Sequence, residues 1–137
     1  MRLFLDTNIL LDFLLDRPPF AESSEELLRA IEAGKAKGFI SGITVSNLYY
    51  VLHDINKRKD PLPSLAALLA VLEVVPTSKT LLLEAMNSGF KDFEDGIQNA
   101  SAVSARCDHL VTRNGKDFRK SKLNIVTAAE ASVLLRL

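Results

Sequence analysis

Short apolar runs alternate along the chain with longer stretches of helical periodicity. The first run, Arg2–Leu5, has the length of a buried strand. It breaks at Asp6, Thr7 and Asn8, after which "NILLDFLL" reads as a helix that stops before Pro18 and Pro19. Phe20 opens the next helix, with Phe20, Leu27, Leu28 and Ile31 on one face, a capping box from Ser23 and Glu26, and Gly34 as its C-terminal stop. "GFIS" is a second short strand. "ITVSNLYYVLHDINKRK" follows as a helix with Val45, Leu48, Leu52 and Ile55 on its stripe, Asn47 beside it, and Lys57, Arg58 and Lys59 at the end the macrodipole favours for cations.

The alternation continues to the last residues. After the turn "DPLP" come a helix "SLAALLAVL", a strand "EVVP" and a helix "KTLLLEAMNSG" with a glycine stop. From Asp95 to Cys107 the small residues Gly96, Ala100, Ser101, Ala102, Ser104 and Ala105 suit a helix packed closely on a sheet. "HLVT" and "NIVT" are two more strands, and "AAEASVLLRL" is a terminal helix. Strands alternating with helices predict an α/β sandwich with a mainly parallel sheet.

Composition adds limits to that picture. At 137 residues, 47% of them apolar, the chain has the size of a single domain with a substantial core. Seventeen basic residues balance seventeen acidic ones, so attraction to nucleic acid must come from local patches. One such patch is "RNGKDFRKSK", which carries five Lys or Arg against one Asp between Arg113 and Lys122. Cys107 is the lone cysteine, without a partner for a disulfide or a zinc cluster, which favours a reducing compartment. Asp6 interrupts the first apolar run too early for a secretory signal, and no run approaches the roughly 18 residues of a membrane span. A cytoplasmic protein with no membrane association is expected.

Chemistry enters with the carboxylates. In open parallel sheets, ligands bind outside the carboxyl ends of the strands, where Asp6 stands. Asp6 also fits an N-cap of the following helix, so both readings are open. "KDFEDGIQNA" places Asp92 and Asp95 around a helix start, where they could cap it and favour its dipole, or face the same sheet edge as Asp6. "VTRNGKDF" adds Thr112, Asn114 and Asp117 at the end of the fourth strand, as rim residues or as a polar turn. Converging carboxylates repel one another unless a cation holds them ionised. An oxygen-only donor set favours Mg²⁺ or Mn²⁺, ions that activate water and stabilise a leaving oxygen in phosphodiester hydrolysis.

Together "FLDTNILLDFLLDRPPF", "FISGITVSNLYYVL" and "DFEDGIQNASAVSARCDHLVTRNGKDF" resemble a PIN domain over nearly the whole chain, most closely the small bacterial members that include VapC-like ribonuclease toxins. The resemblance implies a three-layer α/β/α sandwich with a five-stranded sheet in the order 3-2-1-4-5. It also implies a Mg²⁺- or Mn²⁺-dependent endoribonuclease, the toxin of a type II toxin–antitoxin pair. Asp6 matches the family's first-strand aspartate and Asp95 the acid before the fourth strand, with Asp92 a possible addition and Asn8 and Thr112 in support. Two positions depart from the pattern: Asn47 stands where a glutamate is common, and Asn114 where a fourth acid is common, with Asp117 three residues later. An amide can coordinate Mg²⁺ but brings no charge, so the departures predict weaker metal binding.

The basic run, with Arg113, Lys116, Arg119 and Lys120, could hold an RNA backbone. Tyr49 and Tyr50 are candidates for base stacking, although adjacent helical residues point in different directions. His53 and Ser46 lack the partners of a nucleophilic site. The family likeness implies a homodimer neutralised by a small antitoxin protein, and "NILLDFLL" and "ASVLLRL" offer apolar surface for such contacts. The alternative expectation is a catalytically weak PIN-like module that binds RNA or protein, which Asn47 and Asn114 favour.

Overall fold

The computed structural model describes residues 1–136. Its elements follow the order β1 (Arg2–Leu5), α1 (Thr7–Leu14), α2 (Ala21–Glu32), β2 (Lys37–Ser41), α3 (Gly42–Ile55), α4 (Leu62–Val71), β3 (Glu73–Val75), α5 (Lys79–Met86), α6 (Phe93–Ser104), β4 (His109–Val111), a 3-10 turn (Gly115–Phe118), β5 (Asn124–Val126) and α7 (Ala128–Arg136). Leu137, the last residue of "AAEASVLLRL", lies outside the described residues.

All four strand pairings are parallel, and the sheet order is 3-2-1-4-5, as the family likeness implies. The register aligns Phe4 with Phe39 on one side and Leu110 on the other. Alternation along β1 then divides the core. Leu3 and Leu5 join Ile9, Leu10, Leu27, Leu48 and Leu68 beneath α1 to α4, whereas Phe4 joins Leu81, Ala85, Ile97 and Ala100 beneath α5 and α6. These two apolar cores on opposite faces make the three layers.

Local chemistry sets the helix ends. Ser41, Ser78 and Asp92 each accept a backbone N–H of the following first turn, capping α3, α5 and α6. Gly34 takes φ +83° directly after the C-cap Ala33 of α2, as its position in the sequence predicts. Two expectations are corrected. Ser23 and Glu26 form no capping box, because α2 already begins at Ala21 with Phe20 as an N-cap that makes no side-chain bond. Ile55 does not extend the buried stripe of α3: the helix ends there and the side chain is exposed.

Candidate active site

The strand order changes direction between β1 and β4, the point at which open parallel sheets hold their ligand crevice, outside the carboxyl ends of the strands. The ladder runs one residue past each strand. The Asp6 N–H donates to the Val111 carbonyl at 2.9 Å, and the Thr112 N–H to that of Val126 at 2.9 Å. Both side chains therefore start from fixed backbone. Asp6 is buried; its Oδ1 accepts the Thr7 N–H at 2.8 Å and its Oδ2 accepts the Thr112 hydroxyl at 2.8 Å. It is thus the N-cap of α1 and also the carboxylate at the floor of the crevice.

Thr112 Oγ1 in turn accepts the Asn114 N–H at 3.0 Å, while Asn8 reaches the same loop by accepting the Arg113 N–H at 3.4 Å. These bonds fasten the loop after β4 to the start of α1. Asn114 itself is exposed, and Asp117 is carried on the 3-10 turn beyond it.

The other acids come from α6. Asp92 accepts the Asp95 N–H at 3.0 Å as N-cap, which puts Glu94 and Asp95 on the first turn. Burial raises the pKa of Asp6, partly offset by its bonds from Thr112 and Thr7. Asp95 is pushed up to about 7, first by burial and then by the charges of Asp92, Asp6, Asp117 and Glu94. Burial likewise raises Glu94, with Asp92 and Asp6 adding to the effect and a bond from Asn47 opposing it. Asp6, Asp92, Glu94, Asp95 and Asp117 are therefore one electrostatic group. Among the described residues none of the five has an ion-pair partner.

Two residues that sequence reading passed over belong to this surround. Glu94 accepts a 3.0 Å hydrogen bond from the amide of Asn47, across the gap between α3 and α6. Gln98, one turn further along α6, is fully buried; its Oε1 accepts the Ser41 hydroxyl at 2.7 Å and its amide donates to Thr44 at 2.9 Å and Thr7 at 3.2 Å. A glutamine on a helix otherwise lined with small and apolar residues is the visible signal for Gln98. Its partners come from distant segments and left no signal of their own.

The basic run separates into different environments. Arg113 donates from Nε to Asp12 Oδ2 at 2.7 Å and from Nη2 to Oδ1 at 3.1 Å, with its guanidinium 4.3 Å from the centroid of Phe20. Its charge is committed inside the fold to a fully buried carboxylate. Lys120 donates to the Gly89 carbonyl at 2.6 Å, whereas Lys116 and Arg119 are exposed and, among the described residues, without an ion pair. Tyr49 stacks on His53, and Tyr50 is exposed.

The donor set suits a hard divalent cation. All five groups are carboxylates, their mutual repulsion calls for positive charge, and among the described residues no ion pair supplies it. Among the described residues no three His, Cys, Asp or Glu side chains stand together so that they could hold a metal ion. An ion here would take one or two carboxylates and keep water in the rest of its shell, as Mg²⁺ does. No described helix is long and apolar enough to cross a membrane.

Comparison with known proteins agrees with this geometry. The family model of the PIN domain matches residues 2–116. Ribonuclease VapC1 of Aquifex aeolicus is 28% identical over 134 residues, covering 94% of this chain and 92% of that protein. A toxin–antitoxin complex from Klebsiella pneumoniae contains a chain of similar structure, with TM-score 0.67, 26% identity and coverage of 91% of this chain and 96% of that one. VapBC2 from Rickettsia felis, solved bound to a DNA fragment from its promoter, shares the fold at TM-score 0.71 and 22% identity, covering 91% and 97%.

Proposed function

Because this chain belongs to the PIN domain family, we propose that it is a Mg²⁺- or Mn²⁺-dependent endoribonuclease and the toxin of a toxin–antitoxin pair. The observation that carries the reading is the mutual repulsion of Asp6, Asp92, Asp95 and Asp117, which raises Asp95 and which, among the described residues, no ion pair relieves. Asp6, Asp95 and Asp92 are the candidates, of which one or two would hold the ion with water completing its shell. When bound, it supplies a more acidic water and stabilises the leaving oxygen of a phosphodiester.

The chain's own residues define the rest of the task. Thr112 and the first turn of α1 fix both oxygens of Asp6, which limits the orientations it can offer. Lys116 and Arg119, exposed on the loop that follows β4, are the residues proposed to hold RNA phosphates. Arg113 acts within the fold, joining that loop to α1. The kinship with a VapC ribonuclease and the toxin–antitoxin complex of similar structure support an antitoxin protein as partner.

Cleavage of single-stranded and structured RNA by the purified chain, titrated with Mn²⁺ and Mg²⁺, tests the proposal. Metal-dependent cleavage that Asp6→Asn and Asp95→Asn each abolish is the expected result. RNA that is bound but left intact at millimolar metal would instead favour a binding module, the reading that Asn47 and Asn114 support.

A further inference from the structure

The acid common on α3 in this family is an amide here, and the structure places a carboxylate directly against that amide. We infer that the charge has moved between helices: Glu94, held by Asn47, is an additional carboxylate of the site and substitutes for the acid absent from α3. The inference rests on the metal-dependent reading above and deepens it.

Geometry separates this role from ordinary helix chemistry. A glutamate in a first turn can stabilise its own helix through the macrodipole or by bonding back to the N-cap. Glu94 instead reaches across to α3, and the cap of α6 is already made by Asp92. The bond from Asn47 occupies Oε1 at 3.0 Å and leaves Oε2 for another partner. The same carboxylate stands next to Asp95 and two residues from Asp92, on the first turn of α6 that carries the site acids, and its bond to Asn47 turns it towards α3.

The two identities also depend on each other. A glutamate at position 47 would set two carboxylates at hydrogen-bonding distance, a repulsive contact, whereas an asparagine donates and fixes the acid already present. Asn47 is then a positioning residue, and the pair carries one negative charge whichever helix bears it.

Mn²⁺ binding to the full chain, followed by calorimetry and by the spin-resonance signal of free Mn²⁺, tests this without reference to cleavage. Glu94→Gln is expected to weaken binding about tenfold or more and Asn47→Ala by less, with little change in Tm because Glu94 is exposed. The exchanged double variant Asn47→Glu/Glu94→Gln restores a donor and one carboxylate to the pair, and should recover most of the loss. Wild-type affinity in Glu94→Gln, or a double variant no better than Glu94→Gln alone, overturns the inference. If Asp6→Asn abolishes binding while Glu94→Gln does not, only this inference falls; if the folded wild-type chain binds no Mn²⁺, the metal-dependent function falls with it.

Discussion

Single side chains carry two roles at once here, and substitutions can separate them. Thr112 donates to a buried carboxylate and accepts the N–H of Asn114, so Thr112→Val removes both bonds without opening a cavity. A stability loss of about 1.5–3 kcal/mol is expected from urea unfolding, the range for a hydrogen bond to a charged group. Arg113 makes the opposite case. It resembles an RNA contact in sequence, but Arg113→Ala would leave Asp12 buried with, among the described residues, only Arg17, 3.9 Å away, as a cation. Unfolding measurements should show a loss of about 3 kcal/mol or more. A stable Arg113→Ala protein with a raised KM for RNA would return this residue to the substrate surface.

Among the elements, α6 couples packing to the candidate chemistry. Its buried Gln98 ties together Ser41, Thr44 and Thr7 from three other segments, so Gln98→Ala both opens space and strands polar groups. A destabilisation of about 2–4 kcal/mol is expected in chemical unfolding. The first turn of the same helix makes the metal-free protein sensitive to pH. Asp95 has a folded-state pKa of about 7 against an ordinary value of 3.8, so between those values the folded chain binds more protons than the unfolded one. Stability must then fall as pH rises from about 4 through 7, and the raised pKa values of Asp6 and Glu94 act in the same direction. In EDTA, Tm should climb as pH is lowered from 8 to 5. Mn²⁺ should flatten that slope by holding the acids ionised, and its affinity should rise with pH through 7. A Tm in EDTA that is level over this range would show that the acids do not interact.

For the whole molecule, the decisive feature is where the sheet changes direction. Five parallel strands deliver their carboxyl ends to one edge, and the central position of β1 puts Asp6 between the loop after β4 and the helices after β2. The basic loop lies beyond that edge in a protein of formal net charge +0, so attraction of the proposed RNA substrate would rest on a local field. Lys116→Ala with Arg119→Ala should therefore raise KM for RNA and flatten its salt dependence while kcat is largely kept. An unchanged salt slope would place the phosphate contacts elsewhere.

The sequence by itself determined the alternation of strands and helices, because apolar period and capping residues are local properties. Asp6 could be singled out because a carboxylate that ends an apolar run is conspicuous, and the dual reading of Asp92 as a cap or a site acid was legible for the same reason. Strand order came from family likeness, since no local pattern states which strands are neighbours. Tertiary structure alone set Glu94 against Asn47, Gln98 against Ser41 and Thr44, and Arg113 against Asp12, pairs 47, 57, 54 and 101 residues apart. The physical reason is that burial and repulsion belong to groups in space. A carboxylate shows its charge in the sequence, but only the packed neighbours of Asp95 could raise its pKa to about 7.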